Sequence, residues 1–143
     1  MEALADIYEQ SKETVLVADD EPAVRRLVRR MLEKDYNVME AQNGREAIDM
    51  AYSYRPGIIF MDMMMPEMNG LSACYAIKTN ESTREIPVVM LTGIGYELNK
   101  KLSEDIMGAD GYITKPFTRE SLLQEIRRLM LPVSDNAEQM FVE

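Results

Sequence analysis

The stretch Gly57-Ile58-Ile59-Phe60-Met61-Asp62 runs through four large apolar residues and stops on a carboxylate. A continuous apolar run of this length reads as a strand covered on both faces, the pattern of a parallel sheet. A charge directly after such a run is costly if it stays inside and useful if it surfaces at the strand's carboxyl end. In open α/β sheets that edge is where ligands bind. The next segment, Met63-Met64-Met65-Pro66-Glu67-Met68-Asn69-Gly70, has neither a helical nor a strand period and closes on turn residues. Asp62 is therefore expected to be displayed at the end of a strand.

Working outward, Val15-Leu16-Val17-Ala18, Val88-Val89-Met90-Leu91 and Tyr112-Ile113-Thr114 read as further buried strands. Asn37-Val38-Met39-Glu40-Ala41 alternates more and reads as an edge strand. Helical patterns separate them. Pro22 suits a first helical turn, and Val24, Leu27, Val28, Met31 and Leu32 follow as one apolar stripe. Arg25, Arg26, Arg29 and Arg30 fall outside that stripe and read as a solvated face rather than a nucleic-acid patch.

Residues 44–54, 70–79 and 96–107 carry apolar residues at helical spacing. Thr118 can cap a last helix that Pro132 ends. Five alternations of strand and helix argue a doubly wound α/β sandwich joined by right-handed crossovers.

A chain of 143 residues suits one domain. The expected division is an N-terminal extension at 1–13, the folded domain at 14–131 and a tail at 132–143. The formal net charge of −9 argues against a nucleic-acid partner held by general phosphate attraction. Six of those nine excess charges sit near the two ends. The single cysteine, Cys74, excludes an internal disulfide framework and reads as a small apolar helix residue. No apolar run approaches the ~18 residues of a membrane span, and residues 1–13 lack a signal-peptide pattern, so a cytoplasmic location is expected. Histidine is absent. That excludes a His-based triad, a His metal ligand and a phosphohistidine on this chain.

The polar residues then fall into place. Asp19 and Asp20 end the first strand, Asp62 the third, Thr92 the fourth and Lys115 the fifth. The fold would gather all five along one edge. Three carboxylates repel, and Lys115 supplies one counter-charge; a hard divalent cation with oxygen ligands supplies the other. Mg²⁺ takes one or two carboxylates, keeps several waters and shares oxygens with a phosphoryl group. A carboxylate nucleophile, a cation, an ammonium and a hydroxyl suit phosphoryl transfer. The plainer reading makes Asp19 and Asp20 helix caps and Lys115 a surface charge. It explains each fragment but not their shared edge.

The segments VLVADDEP, MDMMMPEMNG, VVMLTG and GADGYITKPF resemble the motifs of the response-regulator receiver domain, the phospho-acceptor module of two-component signalling. The resemblance covers about residues 14–131. It implies a flavodoxin-like fold with five helices and strand order 2-1-3-4-5. It makes Asp62 the phospho-acceptor and Asp20 and Asp19 ligands of Mg²⁺, with Mn²⁺ as a substitute. The carbonyl of Met64 completes the protein's share of that shell. Thr92 and Lys115 would bind phosphoryl oxygens, helped by the amides of Met63 and Gly93. A cis Lys115-Pro116 bond would aim the lysine.

The resemblance further implies a partner histidine kinase or histidine phosphotransfer protein as donor and a downstream target protein not named by the sequence. No direct contact with nucleic acid or membrane is expected, and the chain would be a monomer or a phosphorylation-dependent dimer. Apart from phosphorylating and dephosphorylating itself it is not expected to be an enzyme. Thr92 and Tyr112 would be the switch pair, read out on the face formed by the fourth helix, fifth strand and fifth helix. The alternatives are a relay intermediate that passes phosphate to a histidine phosphotransfer protein, and the regulatory part of a longer regulator such as a transcription factor.

Met61, Met63, Met64, Met65 and Met68 crowd the expected site. Loop packing is the first reading and a deformable docking surface the second. Met64 and Ile94 lie two positions after Asp62 and Thr92. In the family that the chain resembles these places flank the path of the attacking water, so with apolar side chains there the resemblance implies slow self-dephosphorylation.

Overall fold

The structure, a computed structural model, describes residues 12–93 and 108–130. Five parallel strands form one sheet: β1 Thr14–Ala18, β2 Asn37–Ala41, β3 Ile58–Asp62, β4 Val88–Thr92 and β5 Gly111–Thr114. Their order is β2-β1-β3-β4-β5, with the alternating run at the edge as expected. Four helices are described: α1 Pro22–Leu32, α2 Gly44–Tyr54, α3 Gly70–Thr79 and α4 Arg119–Met130. The helix expected at 96–107 and the stop at Pro132 lie outside the described residues.

Alternation along each strand divides the core in two. Leu16, Ile59, Met61 and Met90 face Ala47, Ala51, Cys74 and Ile77 of α2 and α3. Val17, Phe60, Val89 and Leu91 face Val28 and Leu32 of α1 and Leu122 and Ile126 of α4. Strands covered on both sides need continuous apolar sequence, and β3 and β4 are buried along their whole length. Cys74 is fully buried, and burial pushes its thiol up to about 12.

Local chemistry sets the helix starts. Asn43 and Asn69 accept hydrogen bonds from the amides of Glu46 and Ser72 at 2.8 and 2.9 Å. Thr118 Oγ1 accepts from the Ser121 amide at 3.1 Å, so the cap read at Thr118 is formed. Among the described residues, no helix is long and apolar enough to cross a membrane.

Two expectations about α1 need correction. Its stripe is buried only at Val28 and Leu32, and Leu27 remains 43% exposed. Leu27 turns toward the β5–α4 turn, where it lines an apolar depression with Val24, Pro116 and Phe117. The arginines are not a uniform solvated face either. Arg25 and Arg29 both bond Glu40 of β2, at 3.1 and 2.8 Å. Burial would raise the Glu40 carboxyl, but the hydrogen bonds from Arg29 and Arg25 outweigh it and hold Glu40 below its usual range.

Candidate functional site

Parallel register brings the strand ends together. Ala18 pairs with Ala41 and Met61, Asp62 with Leu91, and Thr92 with Thr114. Asp19, Asp62, Thr92 and Lys115 therefore share the carboxyl edge of the sheet. One oxygen from each of Asp19, Asp20 and Asp62 lies within 4.8 Å of the other two. Lys115 Nζ donates to Asp19 Oδ2 and Asp62 Oδ1, both at 3.0 Å. Its amide donates to Thr92 O at 2.6 Å, and the Lys115-Pro116 bond is cis.

The display expected of Asp62 is corrected by its burial: it is only 7% exposed, at the floor of the edge, and Asp19 is fully enclosed. Asp20 is the exposed member. Asp19 Oδ1 also accepts from the Glu21 amide at 2.9 Å, which shapes the turn into α1. The plainer reading of Asp19 and Asp20 as helix caps is thus corrected: the N-cap of α1 is Glu21, with no side-chain capping hydrogen bond, and Asp19 braces only the turn before it. Thr92 is 2% exposed.

Burial is the largest influence on Asp62 and, with the charge of Asp19, raises its carboxyl to about 6 against the pull of Lys115. Burial would lower Lys115, but its hydrogen bonds to Asp19 and Asp62 prevail and raise it. One ammonium among three carboxylates leaves an excess of negative charge in a partly enclosed space. A cation with hard oxygen ligands fits that deficit, and the donor set matches Mg²⁺.

The amide of Met63, expected to face the phosphoryl group, instead donates to Leu91 O at 3.1 Å and is committed to the sheet. Met64 is 78% exposed, whereas Met61, Met63 and Met65 are buried in the core. Packing therefore accounts for most of the methionines. Gly93 borders the same depression as Lys115. Ile94 lies outside the described residues. Tyr112 is half-buried and packs against the core cluster that α2 and α3 cover.

Sequence reasoning passed over Gly70 and the Arg25–Glu40 pair. A Cβ on Gly70 would come within 2.0 Å of Asp62 O, and the Gly70 amide donates to Met63 O at 2.9 Å. The signal was the Asn69-Gly70 turn itself, which marks close backbone approach as readily as chain reversal. Arg25 was hidden by its three arginine neighbours.

The response regulator receiver domain family matches residues 15–127. The chemotaxis protein CheY of Halobacterium salinarum is 40% identical over 113 residues, 78% of this chain and 92% of that protein. The DNA-binding dual master transcriptional regulator RpaA of a Synechocystis strain is 37% identical over 117 residues, 81% of this chain and 48% of that protein. The chain spans between 9% and 53% of the length of several longer curated relatives. A solved receiver domain of a Pseudomonas aeruginosa sensor histidine kinase has a TM-score of 0.77 and 26% identity, covering 84% of this chain and 98% of that one. That structure holds magnesium in its active-site cleft. With this fold, this acidic edge and a match across most of its length, the chain belongs to the response regulator receiver domain family.

Proposed function

We propose that the chain accepts a phosphoryl group on Asp62 from a phosphohistidine of a partner protein. The observation that supports this most is Lys115 Nζ set 3.0 Å from both Asp62 and Asp19 at an edge with a third carboxylate. A carboxyl titrating at about 6 is mostly ionised at neutral pH and can act as nucleophile. An Asp62 oxygen attacks phosphorus in line, the P–N bond breaks, and the leaving electron pair and a proton remain with the donor imidazole. The product is an acyl phosphate that water later hydrolyses.

Asp19 and Asp20, with Asp62 and the Met64 carbonyl, would hold Mg²⁺ or Mn²⁺. Such a cation, when bound, neutralises charge on the phosphoryl oxygens. Lys115 is close enough to Asp62 to pair with one such oxygen, and the Thr92 hydroxyl and Gly93 amide are assigned to the others. Thr92 and Tyr112 form the proposed switch, with the readout face including β5 and α4 and, as expected from sequence, residues 96–107. Residues 14–131 would be the functional unit, with residues before and after it as appendages.

Chain transfer to a second histidine, as in a relay, is the other reading. The match to a segment spanning 9% of a Formosa agariphila histidine kinase favours it, since that segment sits within a much longer protein. The test is incubation with Mg²⁺ and a small phosphodonor, comparing wild type with Asp62→Asn. Wild type should gain acid-stable, base-labile phosphate and the variant should not. Absence of phosphate on the folded wild type would overturn the proposal. Phosphate passed on from Asp62 to a histidine phosphotransfer protein would select the relay.

A further inference from the structure

Arg25 projects from α1 back toward the sheet, and its side chain is 12% exposed. Nη1 donates to the main-chain carbonyl of Asp19 at 2.7 Å, and Nε donates to Glu40 Oε1 at 3.1 Å. Glu40 pairs in register with Val17 on the neighbouring strand, and its other oxygen is held by Arg29 Nε at 2.8 Å. Glu40 thus fixes the plane of the guanidinium. The guanidinium in turn fixes the peptide joining Asp19 to Asp20. From the other side, the Asp19 amide donates to Ala41 O at 3.1 Å, so this peptide segment is held against both β2 and α1.

We propose that Arg25, oriented by Glu40, is a positioning residue for the acidic site, fixing the Asp19–Asp20 peptide so that both carboxylates meet a divalent cation in one arrangement. This role rests on the cation-dependent reading of that site. Removing the guanidinium has two opposed consequences. As a point charge it repels a cation, so its loss would tighten binding. As a brace it orders two ligands, so its loss would weaken binding. Glu40, shared with Arg29, offsets part of that charge, and solvent ions screen more of it. Groups that orient metal ligands typically change affinity about 10–100-fold. The brace dominates.

The experiment is titration of the full chain with Mn²⁺ alone, read by the electron paramagnetic resonance of the free ion. Wild type is compared with Arg25→Ala, Arg25→Lys, Glu40→Gln, Asp19→Asn and Asp62→Asn, and thermal unfolding in chelator identifies the folded variants. Arg25→Ala should bind about tenfold more weakly. Arg25→Lys should stay weak, because an ammonium lacks the fork that spans both acceptors. Glu40→Gln should fall between wild type and Arg25→Ala. Equal or tighter binding by folded Arg25→Ala, or full affinity in Arg25→Lys, overturns the brace while leaving the site intact. Should Arg25→Ala fail to fold, unchanged affinity in Glu40→Gln overturns it. Mn²⁺ binding that survives both Asp19→Asn and Asp62→Asn overturns the site reading as well.

Discussion

Asp62 closes β3 with its carboxylate beside Asp19 and Asp20, and it shares the Lys115 ammonium with Asp19. Its carboxyl is raised from 3.8 to about 6, chiefly by burial and then by Asp19. In the unfolded chain the same group ionises near its ordinary value, so between these two values the folded state binds the proton more tightly. The favourable contribution of the protonated group is complete below the unfolded value and is lost as pH rises through about 6. In chelator, wild type should therefore lose stability between pH 4 and 7 by roughly 2–3 kcal/mol from this residue. Asp62→Asn should remove that slope and be the more stable protein at neutral pH, as read by urea denaturation. A variant less stable than wild type at pH 7 in chelator would contradict this balance. Sequence alone suggested that a charge here is useful, but its cost depends on neighbours more than forty positions away.

The loop from Met63 to Asn69 shows how an element is aimed. It is tied to α2 by the Gly44 amide donating to Met68 O at 3.2 Å, and to α3 by the Gly70 amide donating to Met63 O. Glu67 adopts a φ of 66°, a left-handed turn unusual for a side chain of its size. Gly70 opens α3, where exchange for alanine would gain at most about 1 kcal/mol of helix propensity. The added Cβ would meet the Asp62 carbonyl at 2.0 Å, and main chain cannot swing aside as a side chain can. Overpacking of this kind typically costs about 1–3 kcal/mol, so the clash prevails. Gly70→Ala should lower stability by that amount and slow phosphate gain from a small donor, because the displaced group carries Asp62. Unchanged stability and rate would show that α3 slides away freely. Apolar periodicity located α3 to the residue, and Asn69-Gly70 marked its start. It carried no sign of what the missing side chain avoids.

At the scale of the molecule, the strand order, the two-sided core and the convergence of Asp19, Asp62, Thr92 and Lys115 were legible because continuous apolar runs ending in polar residues dictate them. The partners of Arg25 and the orientation of Tyr112 were not, since both depend on how adjacent layers meet rather than on a pattern within one segment. The same whole-fold dependence gives the acidic edge a thermodynamic signature. Asp19, Asp20 and Asp62 come from two non-consecutive strands of the sheet, so the cation site exists only when β1 and β3 are paired. A cation that binds the folded chain and not the unfolded one stabilises it by RT ln(1 + [L]/Kd). At ten times the dissociation constant this is about 1.4 kcal/mol, equivalent to a rise in melting temperature of about 4–6 °C for a domain of this size. Mg²⁺ should produce that rise in wild type and little in Asp62→Asn or Asp19→Asn, each of which removes a ligand charge. An equal rise in all three would mean that Mg²⁺ acts by screening the chain's general acidity, and the carboxylate edge would then hold no site.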